Sequence, residues 1–168
     1  MNHLLYLCCL LACQAAVAAS PSQAIIQTCL KGNPTQKSPT ATEVPTGEVY
    51  KEDNYLPGLE AVFLIEKNQM ELGYIKGKSG DAILFNKKIF QLNEARVAAG
   101  PLMPHEFEPY TATWLLITNQ ESRFLCVSFN FEGIGQSGRF QSIRGGYLID
   151  ARKKSKTLYF ATGDISKF

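Results

Sequence analysis

"RFLCVSFNF", residues 123–131, alternates between two kinds of position. From Leu125 onward every second residue is large and apolar, and the residues between them are more mixed in size and polarity. The first set is Leu125, Val127, Phe129 and Phe131; the second is Phe124, Cys126, Ser128 and Asn130. A period of two is typical of a β-strand, and one wholly apolar face predicts a strand that is buried on that side only.

Similar runs recur through the second part of the chain. They are rich in aromatic and β-branched residues and are bounded by Gly, Asn, Asp and Ser, which favours strands joined by turns. The runs are EAVFLIE (60–66), MELGYIKG (70–77), AILFNKKIFQL (82–92), TATWLLIT (111–118), RFQSIRGGYLID (139–150) and TLYFATGDI (157–165). The sequence therefore predicts an all-β fold, a single antiparallel β-sandwich or small β-barrel of about seven or eight strands.

The predicted core consists of inward-facing residues of these runs. They are Val62, Leu64, Ile83, Phe85, Trp114, Leu116, Val127, Phe129, Leu148 and Phe160. One short stretch, NEARVAA (93–99), instead has helical character.

The first nineteen residues, MNHLLYLCCLLACQAAVAA, contain no Asp, Glu, Lys or Arg. An apolar run from Leu4 to Ala12 precedes small residues of the kind that signal peptidase accepts. We expect residues 1–19 to be a signal peptide and the protein to be exported, either periplasmic or secreted. The four residues Leu10–Cys13 also resemble the lipobox of bacterial lipoproteins. That resemblance implies lipidation at Cys13 and a lipid anchor on the envelope, the one case in which we expect membrane contact.

Outside the predicted signal peptide the chain has two cysteines, Cys29 and Cys126. An even number in an oxidising compartment predicts a disulfide bond, and two unpaired buried thiols are the alternative. The same region has one histidine, His105, and no C-x-x-C motif, so we expect no metal site.

Residues 20–47 are predicted to be an N-terminal arm that precedes a β domain spanning residues 48–168. The stretch KGNPTQKSPTATEVPTG (31–47) has three prolines and no aromatic residue, which favours a flexible linker. Before it, QAIIQTCL (23–30) is an apolar patch that Cys29 would attach to the main domain as an extra strand.

The stretch FEGIGQSGRF (131–140) contains the spacing G-x-G-x-x-G. A dinucleotide-binding loop needs a helix after these glycines, and the following residues lack helical periodicity. The G-x-S-x-G spacing of a hydrolase nucleophile is also missing, which predicts a loop between two strands. Loops on a rigid sheet often carry binding residues.

Within this loop, Ser137, Gly138, Arg139 and Phe140 resemble the Ser-Gly-x-aromatic loop with which periplasmic lysozyme inhibitors block the cleft of their target. Phe140 stands where that loop usually has a tyrosine. The resemblance implies that these four residues contact a partner protein.

A basic stretch, ARKKSK (151–156), forms a predicted turn in which Lys153 and Lys154 are the central cations. A solubilising turn at a sheet edge explains it without any ligand. The functional interpretation is contact with an anionic partner through Lys153, Lys154 and Arg144. Nucleic acid is not expected, because the predicted compartment is wrong and no basic, aromatic sheet face is identifiable.

These features predict an exported binding protein that is not an enzyme and needs no cofactor. We expect its partner to be a protein in the cell envelope or outside it, and the protein to act as an inhibitor or immunity protein against a secreted or wall-degrading enzyme. The alternatives are a carrier of a small lipid or sugar and a structural envelope component. For a hydrolase with paired carboxylates, Glu106 and Glu108 would be the first candidates.

Overall fold

The computed structural model describes residues 20–44, 52–67, 70–131, 142–152 and 155–168. These contain one α-helix, α1 (Gln23–Lys31), two 3₁₀ turns (Leu92–Glu94 and Ile165–Lys167) and eleven strands. The strands are β1 (Thr40–Glu43), β2 (Glu52–Leu56), β3 (Leu59–Lys67), β4 (Met70–Gly77), β5 (Ala82–Phe85), β6 (Lys88–Gln91), β7 (Arg96–Ala99), β8 (Thr113–Asn119), β9 (Ser122–Asn130), β10 (Ile143–Asp150) and β11 (Leu158–Asp164). The all-β fold class is thus confirmed. Within the described ranges, no helix has the length and apolarity needed to cross a membrane.

The strands form two sheets. A six-stranded sheet has the order β1-β8-β9-β10-β11-β7, and a five-stranded sheet follows chain order from β2 to β6. All neighbours pair antiparallel except β7, which runs parallel to β11. The prediction of seven or eight strands was too low, because it counted hairpins such as β5–β6 as single runs and missed β1 and β7.

Both sheets contribute side chains to one apolar cluster. From the five-stranded sheet come Leu72, Tyr74, Ile83 and Phe85; from the six-stranded sheet come Trp114, Val127, Phe129, Tyr147 and Phe160. Seven of the ten predicted core residues are buried as expected: Ile83, Phe85, Trp114, Val127, Phe129, Leu148 and Phe160. Leu116 is only partly buried, and the side chains of Val62 and Leu64 lie outside the described residues.

The second face of β9 is also buried, which corrects the prediction of a half-buried strand. Phe124 and Cys126 are 1% and 0% exposed. Helix α1 packs against this face and forms a second apolar cluster with residues of β8 to β11. Helix α1 thus covers a face of the sheet that would otherwise be exposed to solvent.

Helix α1 occupies the stretch for which an extra strand was predicted, and that prediction is wrong. Ser22 caps its first turn by accepting a hydrogen bond from the backbone N–H of Ile25, and Gly32 ends it with φ of 67°. The buried residues Ile25, Ile26, Cys29 and Leu30 lie on one side, at the spacing of a helix that packs on a surface. A Cβ at position 32 would lie 2.9 Å from Ser128 Oγ, so glycine is also required by the close approach to the sheet.

The predicted disulfide is confirmed. Cys29 of α1 and Cys126 of β9 are bonded, with their Cα atoms 5.7 Å apart and 97 residues of separation along the chain. The bond joins the helix to the sheet. Cross-linking a loop of about 100 residues is worth up to about 4.7 kcal/mol in the chain-entropy description.

Part of the predicted arm is ordered on the domain. Thr40–Glu43 pairs with β8, and Ala41 is buried there. The proposed boundaries at residues 19 and 47 lie outside the described residues and stay predictions, as does the signal peptide with Cys13.

The stretch 93–99 does not form a helix, so the helical character predicted from its composition is wrong. Leu92–Glu94 forms one 3₁₀ turn, and Arg96–Ala99 is β7. The four residues before Gly100 and Pro101 are too few for a stable helix, whereas the edge of β11 offers hydrogen-bond partners. A Cβ at position 100 would lie 2.1 Å from Thr162 Oγ1, so this exit from the edge strand requires glycine.

Replacing both bonded cysteines by alanine is expected to lower the free energy of unfolding by about 2–5 kcal/mol, because the unfolded chain gains conformational freedom. Urea unfolding of the Cys29→Ala/Cys126→Ala variant measures this loss. Wild-type protein unfolded with reductant should lose a similar amount. Equal unfolding midpoints for variant and oxidised wild type would contradict the account.

Candidate binding surface at one end of the six-stranded sheet

The glycine-rich stretch connects β9 to β10, which are antiparallel neighbours with Asn130 opposite Arg144. The backbone N–H of Phe131 donates to the carbonyl of Ile143 at 3.2 Å and continues the pairing beyond the strands. Because β10 begins at Ile143, the glycines do not lead from a strand into a long helix as a dinucleotide site requires. The predicted contact residues Ser137, Gly138, Arg139 and Phe140 lie outside the described residues.

Arg144 is described, and it lies near the start of β10. The period of two places it on the same face as Leu148, which packs against α1. Its Nε atom is buried and has no hydrogen-bond partner among the described residues. Lys153 and Lys154 lie outside those residues, but they follow the opposite end of β10. Arg152, a described residue of the basic stretch, follows the end of β10 opposite to Arg144.

A cleft of about 250 Å³ lies at the base of the β9–β10 connection. Residues of β4, the β4–β5 turn, the 100–112 loop and the end of β9 line it. They are Tyr74, Lys76, Asp81, His105, Glu106, Phe107, Glu108, Thr111, Phe129, Asn130 and Phe131. The cleft thus brings together elements of both sheets.

Phe107 anchors the 100–112 loop between the two sheets. Its ring stacks on Phe129 with centroids 4.7 Å apart and meets Tyr74 edge-on, also at 4.7 Å. Phe107 is 8% exposed although its neighbours Glu106 and Glu108 are exposed. Aromatic contacts of this kind add about 0.5–1.5 kcal/mol each beyond the area that they bury.

Tyr74 and Asp81 form the buried polar contact of the cleft. The Tyr74 hydroxyl donates to Asp81 Oδ2 at 2.5 Å, and Asp81 is 7% exposed. Burial, followed by the hydrogen bond to Asp81, raises the pKa of Tyr74 far above its ordinary value, and a hydrogen bond with the Phe107 backbone opposes this. Tyr74 therefore stays protonated and available as the donor to the Asp81 carboxylate.

His105 is held in place through both its main chain and its imidazole ring. The Tyr147 hydroxyl accepts from the His105 backbone N–H at 3.0 Å and donates to its carbonyl at 2.7 Å. The imidazole Nε2 lies 3.2 Å from the carbonyl oxygen of Phe131, and the His105 and Phe131 ring centroids are 4.1 Å apart. Its Nδ1 has no partner among the described residues. The ring is half-buried, and its contact with Phe131 ties the loop to the end of β9.

The same loop exposes two large side chains. Met103 is 72% exposed and Tyr110 is 56% exposed, and three prolines, Pro101, Pro104 and Pro109, restrict the backbone around them. Methionine and tyrosine are enriched where proteins contact partners. Neither residue was among the sequence candidates, although Met103 lies between Pro101 and Pro104 and Tyr110 directly follows Pro109, which was a usable signal.

Three comparisons, with protein-family models, with curated protein sequences and with solved structures, found no match for this chain. Within the described part of the chain, no three His, Cys, Asp or Glu side chains are grouped so that they could hold a metal ion.

Replacing Tyr74 by phenylalanine is expected to lower the free energy of unfolding by about 1–3 kcal/mol, because the buried Asp81 carboxylate loses its donor. Urea unfolding at neutral pH measures the change. Tyr110→Phe removes the same atom from a mostly exposed residue and should change the value by less than about 0.5 kcal/mol. A Tyr74→Phe variant as stable as wild type would contradict the importance of this contact.

Proposed function

We propose that the protein is an exported, non-enzymatic binding protein that blocks a partner protein in or outside the bacterial envelope. The class that we favour is an inhibitor or immunity protein against a secreted or wall-degrading enzyme. The observation that carries the proposal is the 100–112 loop, which is fixed between the sheets by Phe107 and His105 and exposes Met103 and Tyr110.

Rigid presentation matters for this function. Association costs conformational entropy, and a contact surface that is already ordered loses less of it on binding. Phe107 stacks in the core while residues on either side remain exposed, so the loop keeps one shape without a partner. Contacts centred on exposed aromatic and methionine side chains are suited to a protein partner.

The β9–β10 connection extends the proposed surface. It leaves the sheet at Phe131, whose carbonyl and ring contact His105 of the 100–112 loop. Ser137, Gly138, Arg139 and Phe140 are therefore proposed as a second contact segment, in which the Arg139 guanidinium would form charge-assisted hydrogen bonds with acidic groups of a target cleft.

Export, the signal peptide and a β-sandwich architecture are parts of the same proposal. The disulfide supports an oxidising compartment. The apolar cluster shared by the two sheets supports two packed layers rather than a closed barrel. A bacterial source is supported by the sequence, because Asn33 is followed by proline and no other N-x-S/T glycosylation acceptor is present.

Capture of a partner from envelope extract tests the loop. A Met103→Ser/Tyr110→Ser variant is expected to retain at least tenfold less of the partner that wild type captures, because truncated anchor residues typically cost about 2 kcal/mol or more. A separate Ser137→Ala/Arg139→Ala/Phe140→Ala variant tests the connection. Val97→Ser is the matched control, since Val97 is an exposed apolar residue of β7 (44%) outside this loop.

The captured protein is then purified and its hydrolytic activity is measured with each variant. The proposal predicts inhibition by wild type and by Val97→Ser, and weaker inhibition by both surface variants. Equal capture by all four proteins would contradict the binding surface. Capture without any loss of the partner's activity would contradict the inhibitory role, and turnover of wall material by the protein alone, abolished by Glu106→Gln, would show a hydrolase instead.

A further inference from the structure

A second cleft lies at the opposite end of β10 from Arg144. It has a volume of about 520 Å³ and is formed where the β5–β6 turn faces the residues that follow β10. Pockets that hold small molecules typically measure about 300–1,000 Å³. This cleft shares no lining residue with the candidate binding surface.

Its cationic groups come from two distant parts of the chain. Lys87 and Lys88 belong to the β5–β6 turn, and Arg152 follows β10. The Lys88 ammonium donates to the carbonyl of Ser155 at 3.1 Å and so joins the two segments across the cleft. The three positive charges meet only in the folded protein.

The two carboxylates among the described lining residues already accept hydrogen bonds within the protein. Arg152 Nε donates to both oxygens of Asp150, at 2.9 and 2.8 Å, and Nη2 donates to one of them as well. The Glu71 carboxylate accepts from the Tyr55 hydroxyl at 2.6 Å. Among the described lining residues, three cations against two carboxylates leave one net positive charge, and each carboxylate already accepts a hydrogen bond within the protein.

The remaining lining suits an organic molecule. Phe85 and Phe90, 4% and 6% exposed, contribute apolar surface. Ser155 is 5% exposed, and its hydroxyl oxygen is buried with no hydrogen-bond partner among the described residues. A buried hydroxyl without a partner is costly, and it would be satisfied by donating to a bound oxyanion.

From this arrangement we propose that the second cleft binds a small organic anion with an apolar body. Lys87, Lys88 and the Ser155 hydroxyl bind its carboxylate or phosphate group, and Phe85 and Phe90 contact its apolar part. The proposal goes beyond the inhibitory function, because it concerns another ligand class at another end of the sheet, and either can fail without the other.

The backbone at Lys87 supports a role for its side chain. Asn86 and Lys87 both have positive φ, 50° and 64°, as the two central residues of a tight hairpin turn. Such turns favour Asn followed by Gly, since a side chain in this conformation is strained. Lysine at the second position therefore disfavours the turn while adding a charge to the cleft. Glycine at position 87 should relieve the strain and remove the charge together.

Isothermal titration of the purified protein with octanoate, 1-octanol, octyl phosphate and inorganic phosphate tests the proposal. We expect saturable binding of one octanoate or one octyl phosphate, with 1-octanol and inorganic phosphate each at least tenfold weaker. The ratio of octanoate to octyl phosphate affinity distinguishes a carboxylate from a phosphate ligand. Lys87→Gly and Lys88→Gln are each expected to weaken the tighter anion about tenfold, the effect of losing roughly 1.4 kcal/mol.

Thermal unfolding separates ligand binding from folding. Lys87→Gly should raise the Tm in the absence of ligand while it weakens binding, a combination that damage to the fold cannot produce. Lys37→Gln removes one charge from an exposed residue outside the cleft and should leave the affinity unchanged. Binding of 1-octanol as tight as octanoate, equal affinities for wild type, Lys87→Gly and Lys88→Gln, or no binding of either organic anion would overturn the proposal.

Discussion

The packing of α1 on the outer face of the six-stranded sheet is the constraint on which the rest of the structure depends. The Cys29–Cys126 bond holds the helix over β9, and Leu30 packs closely against a glycine in each of two neighbouring strands. A Cβ at Gly146 would lie 3.4 Å from a Leu30 methyl carbon, and one at Gly163 would lie 3.1 Å from the other. Since the five-stranded sheet shares the core on the opposite face, the six-stranded sheet is buried on both sides near its centre.

Because both faces of this sheet are covered, the ends of its strands are the surfaces best placed for ligands. Strand β10 runs from one of these ends of the sheet to the other. At its start, Phe107 bridges the sheets and orders a loop that exposes apolar side chains. At its end, Lys88 bridges the β5–β6 turn to Ser155 and leaves a positively charged cleft. We propose the first end as a protein-binding surface and the second as a small-anion site. The contacts made by Phe107 at one end and by Lys88 at the other thus shape both proposed sites.

The sequence predicts the parts of this fold that depend on local pattern. The alternation of residues 123–131 identifies a strand, and counting cysteines identifies the disulfide. Helix α1 was missed although Ser22, Gly32 and the spacing of its apolar residues were present, because a nine-residue helix is stable only through the sheet that it covers. The parallel pairing of β7 and the cleft that joins Lys87 to Arg152 depend on contacts across more than 60 residues, for which local pattern carries no signal.

The most direct test of this account is the contact between α1 and the sheet, measured by nuclear Overhauser effects in the oxidised protein. We expect strong effects between the Leu30 methyl protons and the Hα protons of both Gly146 and Gly163, because these groups touch in the folded state. Helical chemical shifts for Gln23–Lys31 should accompany them. Extended shifts for this segment, or the absence of both contacts in folded, disulfide-bonded protein, would contradict the claim that the helix completes the sheet.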